Sequence, residues 1–177
     1  MLAIISALVT PDPISADDLT LQSISLRTRL SERTVLGVDA PESFKENGFS
    51  LFYQLPWSAE FVSDWKFGSR LMANAGSFRG VDGNGLVTSI IPELTIESSD
   101  GRYILDVGIG AALLSKYQFG TQDFGGPFQF ALTWGLTVPL YKQFGVGYRF
   151  LHYSDAGLNG NHTIGVDFHM LEVSYRY

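Results

Sequence analysis

Near its C-terminus the chain reads His152-Tyr153-Ser154-Asp155-Ala156-Gly157-Leu158, which sets an imidazole and a hydroxyl two residues apart. Alternate residues of an extended strand share a face. His152 and Ser154 therefore stand side by side, close enough for the imidazole to take the hydroxyl proton and make the oxygen a nucleophile. The same face carries Phe144, Val146, Tyr148 and Phe150, so the two polar groups continue an apolar stripe. Polar side chains facing lipid are expensive. A strand end at headgroup level would tolerate them as interfacial residues, and a third group decides between the two. On the last segment Asp167 and His169 share the parity of Leu171, Val173, Tyr175 and Tyr177. If an antiparallel register sets His152 opposite Asp167, then Tyr148 meets Leu171, Val146 meets Val173 and Phe144 meets Tyr175. Directly opposed side chains have Cβ atoms about 4.5–5.5 Å apart, so a carboxylate, an imidazole and a hydroxyl fall in a row. In that row Asp167 would orient His152, His152 would take the proton of Ser154, and Ser154 would attack an acyl carbonyl, which is ester hydrolysis. His169 has no place in such a row and reads as interfacial.

The elements that must position these groups have period two from about Leu19 onward, with turn clusters between segments and no helical stripe. In 128–140, Phe128, Phe130, Leu132, Trp134, Leu136, Val138 and Leu140 alternate with small or polar residues, and 103–113 repeats the pattern. Segments 49–55, 65–75, 86–97, 142–153 and 163–177, with a less regular first strand within 19–38, bring the expectation to about eight strands. That is the size of the smallest usual membrane barrel. Large side chains from every strand cannot fit inside eight strands, whereas Gly, Ala, Ser and Thr can. The greasy face is therefore expected outside, in lipid, and the fold class is an all-β, eight-stranded antiparallel transmembrane β-barrel. Lys66, Arg70, Glu93, Asp106, Arg149 and Glu172 then fall inside as a paired structural plug. A soluble lipocalin-like carrier is the inverse arrangement, with Trp65, Phe128, Phe130 and Trp134 around a ligand cavity.

Composition agrees with one membrane-type domain. The chain has 177 residues, 19 glycines, 14% aromatic and only 17% charged residues, against about 25% charged in average soluble proteins. A net charge of −6 without clustered Lys and Arg excludes nucleic acid as a partner. There is no cysteine, hence neither a disulfide framework nor a thiolate nucleophile or metal site. The apolar run Leu2–Val9, followed by Pro11, Pro13 and Ile14-Ser15-Ala16, reads as the remnant of an export signal over 1–16. Residues 17–177 are then the single barrel domain.

The segment His152–Leu158 resembles the HxSNAGL signature of the PagL-type lipid A 3-O-deacylases, and the similarity extends to Tyr103–Ser115, Phe128–Leu136 and the final strand. The resemblance implies an outer-membrane barrel of a Gram-negative bacterium with a serine triad on its outer wall. It implies lipopolysaccharide as substrate, cleavage of the ester at the 3-position of lipid A, and neither metal nor cofactor. Outer-membrane lipid and a second copy of the chain are the remaining partners expected. Phe130 would line the acyl groove, and Ala156 and Gly157 would offer N–H groups to the oxyanion. Two residues depart from the family pattern. Asp155 replaces the Asn whose amide helps form the oxyanion hole, and an ionised carboxylate there would repel the developing charge; losing one donor typically costs about 10²–10³ in rate. This departure favours a non-catalytic barrel of the same lineage as the alternative. Asp167 stands where the family has Glu, one carbon shorter and one residue further from the His. Asn161 and His162 fall where the family keeps a loop Asn.

Overall fold

The computed structural model describes residues 19–31, 33–36, 39–60, 65–160 and 163–177, with the backbone alone for 58–60. The N-terminal run read as an export signal, and Asn161 and His162, lie outside the described residues. The described chain forms β1 (Thr20–Ser31), β2 (Lys45–Glu60), β3 (Trp65–Gly80), β4 (Gly83–Ser98), β5 (Ile104–Leu114), β6 (Gln118–Phe119), β7 (Gln122–Asp123), β8 (Phe128–Tyr141), β9 (Phe144–Ser154) and β10 (Val166–Arg176). Eight of these close into an antiparallel barrel in the order β1-β10-β9-β8-β5-β4-β3-β2, while β6 and β7 pair as a small hairpin in the β5–β8 connection. Because each strand reverses the last, the β1–β2, β3–β4, β5–β8 and β9–β10 connections gather at one rim. At the other lie the remaining turns and both ends of the barrel. Tight turns use residues suited to positive φ, such as Gly101 at φ 66°, whose turn is stapled by Ser98 Oγ donating to Asp100 Oδ1 at 2.7 Å.

The alternation sorts the faces as expected for a barrel in lipid. Trp65, Phe128 and Trp134 point outward with 39%, 41% and 43% of their surface exposed, which excludes the inverse, carrier-like arrangement. No helix among the described residues is long and apolar enough to cross a membrane; the spanning elements are strands, and closure gives each of the eight a neighbour on both edges.

The lumen is filled in layers. Midway, Arg149 reaches Asp106 Oδ1 at 2.8 Å and Glu93 Oε1 at 3.0 Å through Nη1, and Glu172 Oε2 at 2.7 Å through Nε. Arg70 pairs with Glu93 at 2.6 Å and Asp106 at 2.8 Å. Both guanidiniums lie over the ring of Phe52, at 4.2 Å and 5.3 Å from its centroid. Gly135 leaves the room for this layer, since a Cβ there would come within 2.9 Å of Asp106 Oδ2 and 3.0 Å of Arg149 Nη2. Lys66 corrects the expected membership. It is exposed and lines the open mouth near the termini, a cavity of about 400 Å³ shared with Glu97 and Arg176. Lys66 stands near the start of β3, four residues before Arg70, where the side chain reaches water. A second difference is that large apolar side chains do fill the lumen beneath the loop rim. Phe44 stacks on Phe78 at 5.0 Å and meets Phe119 edge-on at 5.4 Å, and Phe78 meets Phe168 at 5.6 Å. Phe44, Phe119 and Phe124 come from connections rather than from barrel strands, so strand alternation does not reveal them.

Replacing Arg149 with Met leaves Glu93 and Asp106 with Arg70 alone and takes from Glu172 its ion-pair partner. Removing one partner of a buried ion pair costs roughly 3–5 kcal/mol. In a urea titration of the detergent-solubilised barrel, followed by heat-modifiable gel mobility, Arg149→Met should unfold at clearly lower denaturant. Arg102→Met, which removes an exposed pair with Asp100, should not move the midpoint. Equal midpoints for wild type and Arg149→Met would show that the layer contributes nothing to stability.

Candidate active site on the barrel wall

Strand β9 ends at Ser154, on the loop rim, and its register with β10 sets Asp167 opposite His152, Leu171 opposite Tyr148, Val173 opposite Val146 and Tyr175 opposite Phe144. On the other side β8 sets Leu132 opposite His152 and Phe130 opposite Ser154. His152 Nδ1 and Asp167 Oδ1 are 2.6 Å apart. A carboxylate only accepts, so Nδ1 carries the proton and Nε2 presents its lone pair away from β10. The Asp167 side chain is fully buried and that of His152 is 16% exposed. Asp167 Oδ2 accepts the backbone N–H groups of Val35 at 2.5 Å and Leu36 at 2.7 Å, from the β1–β2 connection. Ser154 is half-buried, on the same face as His152 and one step nearer the rim. Among the described residues no hydrogen bond joins its hydroxyl to the imidazole; such bonds are commonly long before substrate arrives. Phe130 is half-buried beside it and meets Phe128 edge-on at 5.3 Å.

The residues after Ser154 form a turn built on the Asp155 side chain. Oδ1 accepts the Gly157 N–H at 2.9 Å and the Thr163 hydroxyl at 2.8 Å, and Oδ2 accepts the Asn159 N–H at 3.0 Å. Burial pushes the carboxyl's pKa up, but the Thr163 hydroxyl and the Gly157 and Asn159 N–H groups outweigh it and hold it below the ordinary aspartate value. The carboxylate is thus committed to the loop, and the Gly157 N–H with it. Ala156 and Gly157 have positive φ, 52° and 79°. For a non-glycine residue such a conformation is uncommon and marks a functional turn more often than chance. Among the described residues the Ala156 N–H has no acceptor, and it lies two residues from the Ser154 oxygen.

Two contributors were not legible beforehand. The strap donors Val35 and Leu36 act through backbone N–H groups, which carry no residue signature. Gly165 precedes β10 at a point where a Cβ would lie 2.7 Å from Tyr153 O, 2.9 Å from His152 Cε1 and 2.9 Å from Ser154 Cβ. Only a glycine lets the returning chain pass this close to the pair. Its sign in the sequence is a lone glycine two residues before Asp167. Among the described residues no group of three His, Asp or Glu side chains could hold a metal ion.

A closed barrel with a hydrogen-bonded Asp-His pair on its outer face, and a serine on the next outward position of the same strand, defines the class as a membrane-type barrel with a polar cluster on its wall. The comparisons narrow it. A family model for lipid A 3-O-deacylase (PagL) matches residues 47–176. The lipid A deacylase PagL of Bordetella bronchiseptica is 29% identical over 135 residues, 72% of this chain and 75% of its own. Among solved structures, the crystal structure of the outer membrane enzyme PagL superposes with a TM-score of 0.69 at 18% identity, over 86% of this chain and 98% of that one. The Yersinia pestis outer membrane protein Ail in a phospholipid nanodisc gives 0.51 at 20% identity, over 89% and 99%. These two likenesses concern the fold alone, and a fold does not assign chemistry. The family match does more: the chain belongs to the PagL family of lipid A 3-O-deacylases.

Two substitutions test the local architecture. Gly165→Ala forces the β10 entry away from His152 and Ser154; fluorophosphonate labelling of Ser154 should slow markedly while heat-modifiable mobility persists, and an unchanged rate would show that the approach has slack. Asp155→Asn replaces an acceptor by an amide that must turn its N–H₂ toward a backbone donor. Because folding lowers this carboxyl's pKa, its stabilising share is present above the ordinary aspartate value of about 4 and fades as pH falls through the lower folded value. Protease nicking of the 155–165 loop at pH 7 should therefore be faster in Asp155→Asn. The difference should shrink in the wild type's disfavour as pH drops below 4, and equal nicking throughout would dissociate Asp155 from loop order.

Proposed function

We propose that this protein is an outer-membrane esterase that removes the 3-O-linked acyl chain from lipid A, with Ser154 as nucleophile, His152 as general base and Asp167 as the orienting acid. The observation that carries the reading is the 2.6 Å His152–Asp167 bond on the lipid-facing wall, in strand register with Ser154 beside it. Family membership supplies the substrate class. The rim that carries the site also carries the longer connections, which in such barrels face the cell exterior. That sets Ser154 at the depth of the outer leaflet, where lipopolysaccharide resides.

In the proposed reaction Ser154 Oγ attacks the ester carbonyl as His152 Nε2 takes its proton. The imidazolium, stabilised by Asp167, returns that proton to the departing 3-hydroxyl of the sugar. Water, deprotonated by His152, then cleaves the acyl-serine ester and releases a free fatty acid. The oxyanion would be met by the Ala156 N–H, which has no acceptor among the described residues. Gly157 has open space at its Cα and would serve the hole only by giving up Asp155. Asp155 in this scheme shapes the turn and is held by its own loop, which supports the catalytic reading over the non-catalytic one. Phe130 would pack the acyl chain next to the nucleophile.

Expression in an outer membrane with fully acylated lipid A, followed by mass spectrometry of that lipid, tests the proposal. The wild type should remove one 3-hydroxyacyl mass. Ser154→Ala should lower the rate by roughly 10⁴-fold or more, in line with losses of triad nucleophiles elsewhere, while the barrel stays folded. Unchanged lipid A with the folded wild type would refute the activity.

A further inference from the structure

Asp167 spends one oxygen on His152 and the other on Val35 and Leu36, residues 132 and 131 positions earlier in the chain. The strap Arg33–Leu36 leaves β1 just past a bulge between Arg29 and Ser31, and crosses the outside of β10. Its apolar side chains do not hold it there, for Val35 and Leu36 are 61% and 39% exposed. Its fastening is hydrogen bonding by its backbone, and the third bond goes to a histidine outside the triad. His169 Nε2 is 2.8 Å from Arg33 O. A carbonyl only accepts, so Nε2 bears the proton, and Nδ1 accepts from the Tyr148 hydroxyl. One neutral tautomer satisfies both nitrogens. The ring also meets Phe150 edge-on at 5.5 Å, and Phe150, although on the outer face, is only 2% exposed, with His169 and Trp134 against it.

We propose that His169, held by Tyr148, is a positioning residue for the esterase pair: it pins the Arg33 carbonyl so that the Val35 and Leu36 N–H groups stay on Asp167 Oδ2, and Oδ1 stays aimed at His152. An interfacial histidine would need neither nitrogen matched nor the ring packed against Phe150. Without the strap, Oδ2 would be left on the outer wall without its two donors, and a carboxylate that turned to find another would take Oδ1 from the imidazole. The strap precedes residue 47, where the family match begins. The inference rests on the serine-hydrolase reading of the site, but not on lipid A being the substrate.

Labelling by a fluorophosphonate separates the two. The reagent forms a bond from Ser154 Oγ to phosphorus and expels fluoride, with the serine proton passing to His152, so it reports on the pair without the lipid. His169→Phe keeps a ring against Phe150 and removes both hydrogen bonds; His169→Gln restores a donor at similar reach. In folded, micelle-solubilised protein, His169→Phe should lower the maximal labelling rate by roughly 10- to 100-fold, the size of loss seen when the hydrogen bonds that orient metal-ligating histidines are removed, with the half-saturating probe concentration unchanged. His169→Gln should recover most of that rate, and His169→Phe added to Asp167→Asn should cost little more than Asp167→Asn alone, because both break one chain of contacts. A maximal rate in His169→Phe within about twofold of wild type, equal losses in the two His169 variants, or full additivity with Asp167→Asn would overturn the proposal. The substrate reading is judged separately, from lipid A mass, so each fails by itself.

Discussion

In hydrocarbon an unpaired backbone N–H or C=O costs several kcal/mol, so a sheet can cross a membrane only by closing on itself. Closure of β1 against β10 is the constraint from which the other features of this chain follow. Once the ring is shut, every strand residue faces either lipid or lumen, and a slip of one residue exchanges the two sets. The lumen of eight strands is narrow, so it admits charged groups only if they neutralise one another at close range. Arg149 and Arg70, shared among Glu93, Asp106 and Glu172, do this. The layer in turn punishes any slip, since a shifted strand would deliver a charge to the hydrocarbon. Register is thus enforced from inside, and the outer wall inherits it.

That inheritance makes a polar cluster on the lipid side affordable. His152, Asp167, His169 and Tyr148 sit on adjacent strands at heights set by the ladder, and their polar atoms, His152 Nε2 excepted, find partners within the group or on the strap. Apart from His152 Nε2, the cluster is satisfied from within and presents little unmet polarity to lipid. Gly165 completes the arrangement from the loop side by letting the chain return without displacing either residue.

The parts that were legible in the sequence are those that period two controls. The outward stripes, the interior acids and arginines, and the pairing of His152 with Asp167 follow from parity and from matching apolar residues across one hairpin, and the register is found as expected. What parity does not reach was less legible. Lys66 has the right parity for the lumen but lies past the end of the plug, where water is available. The aromatic fill beneath the loops comes from Phe44, Phe119 and Phe124, whose segments do not alternate. Asp155 has a side chain suited to repel an oxyanion, yet three donors within its own loop claim it. The strap donors are backbone groups and leave no trace in residue identity.

The position of the proposed nucleophile at the last residue of β9 has a physical reason. Stabilising an oxyanion calls for a free N–H close to the attacked carbonyl, and inside a closed barrel every strand N–H belongs to the ladder. A serine in mid-strand would have no donor to offer, however well placed its histidine. Just beyond the strand the ladder stops, and a residue in the left-handed region can turn its N–H out of line with it; Ala156, at φ 52° with no acceptor among the described residues, is in that state. The carboxylate length obeys the same geometry. Asp167 is directly opposite His152 in the register, so two short side chains meet at 2.6 Å, and a longer acid at this position would have to fold back on itself. An acid of one carbon less, set opposite rather than offset, reaches the imidazole without strain, and its second oxygen is left pointing where the strap can cover it.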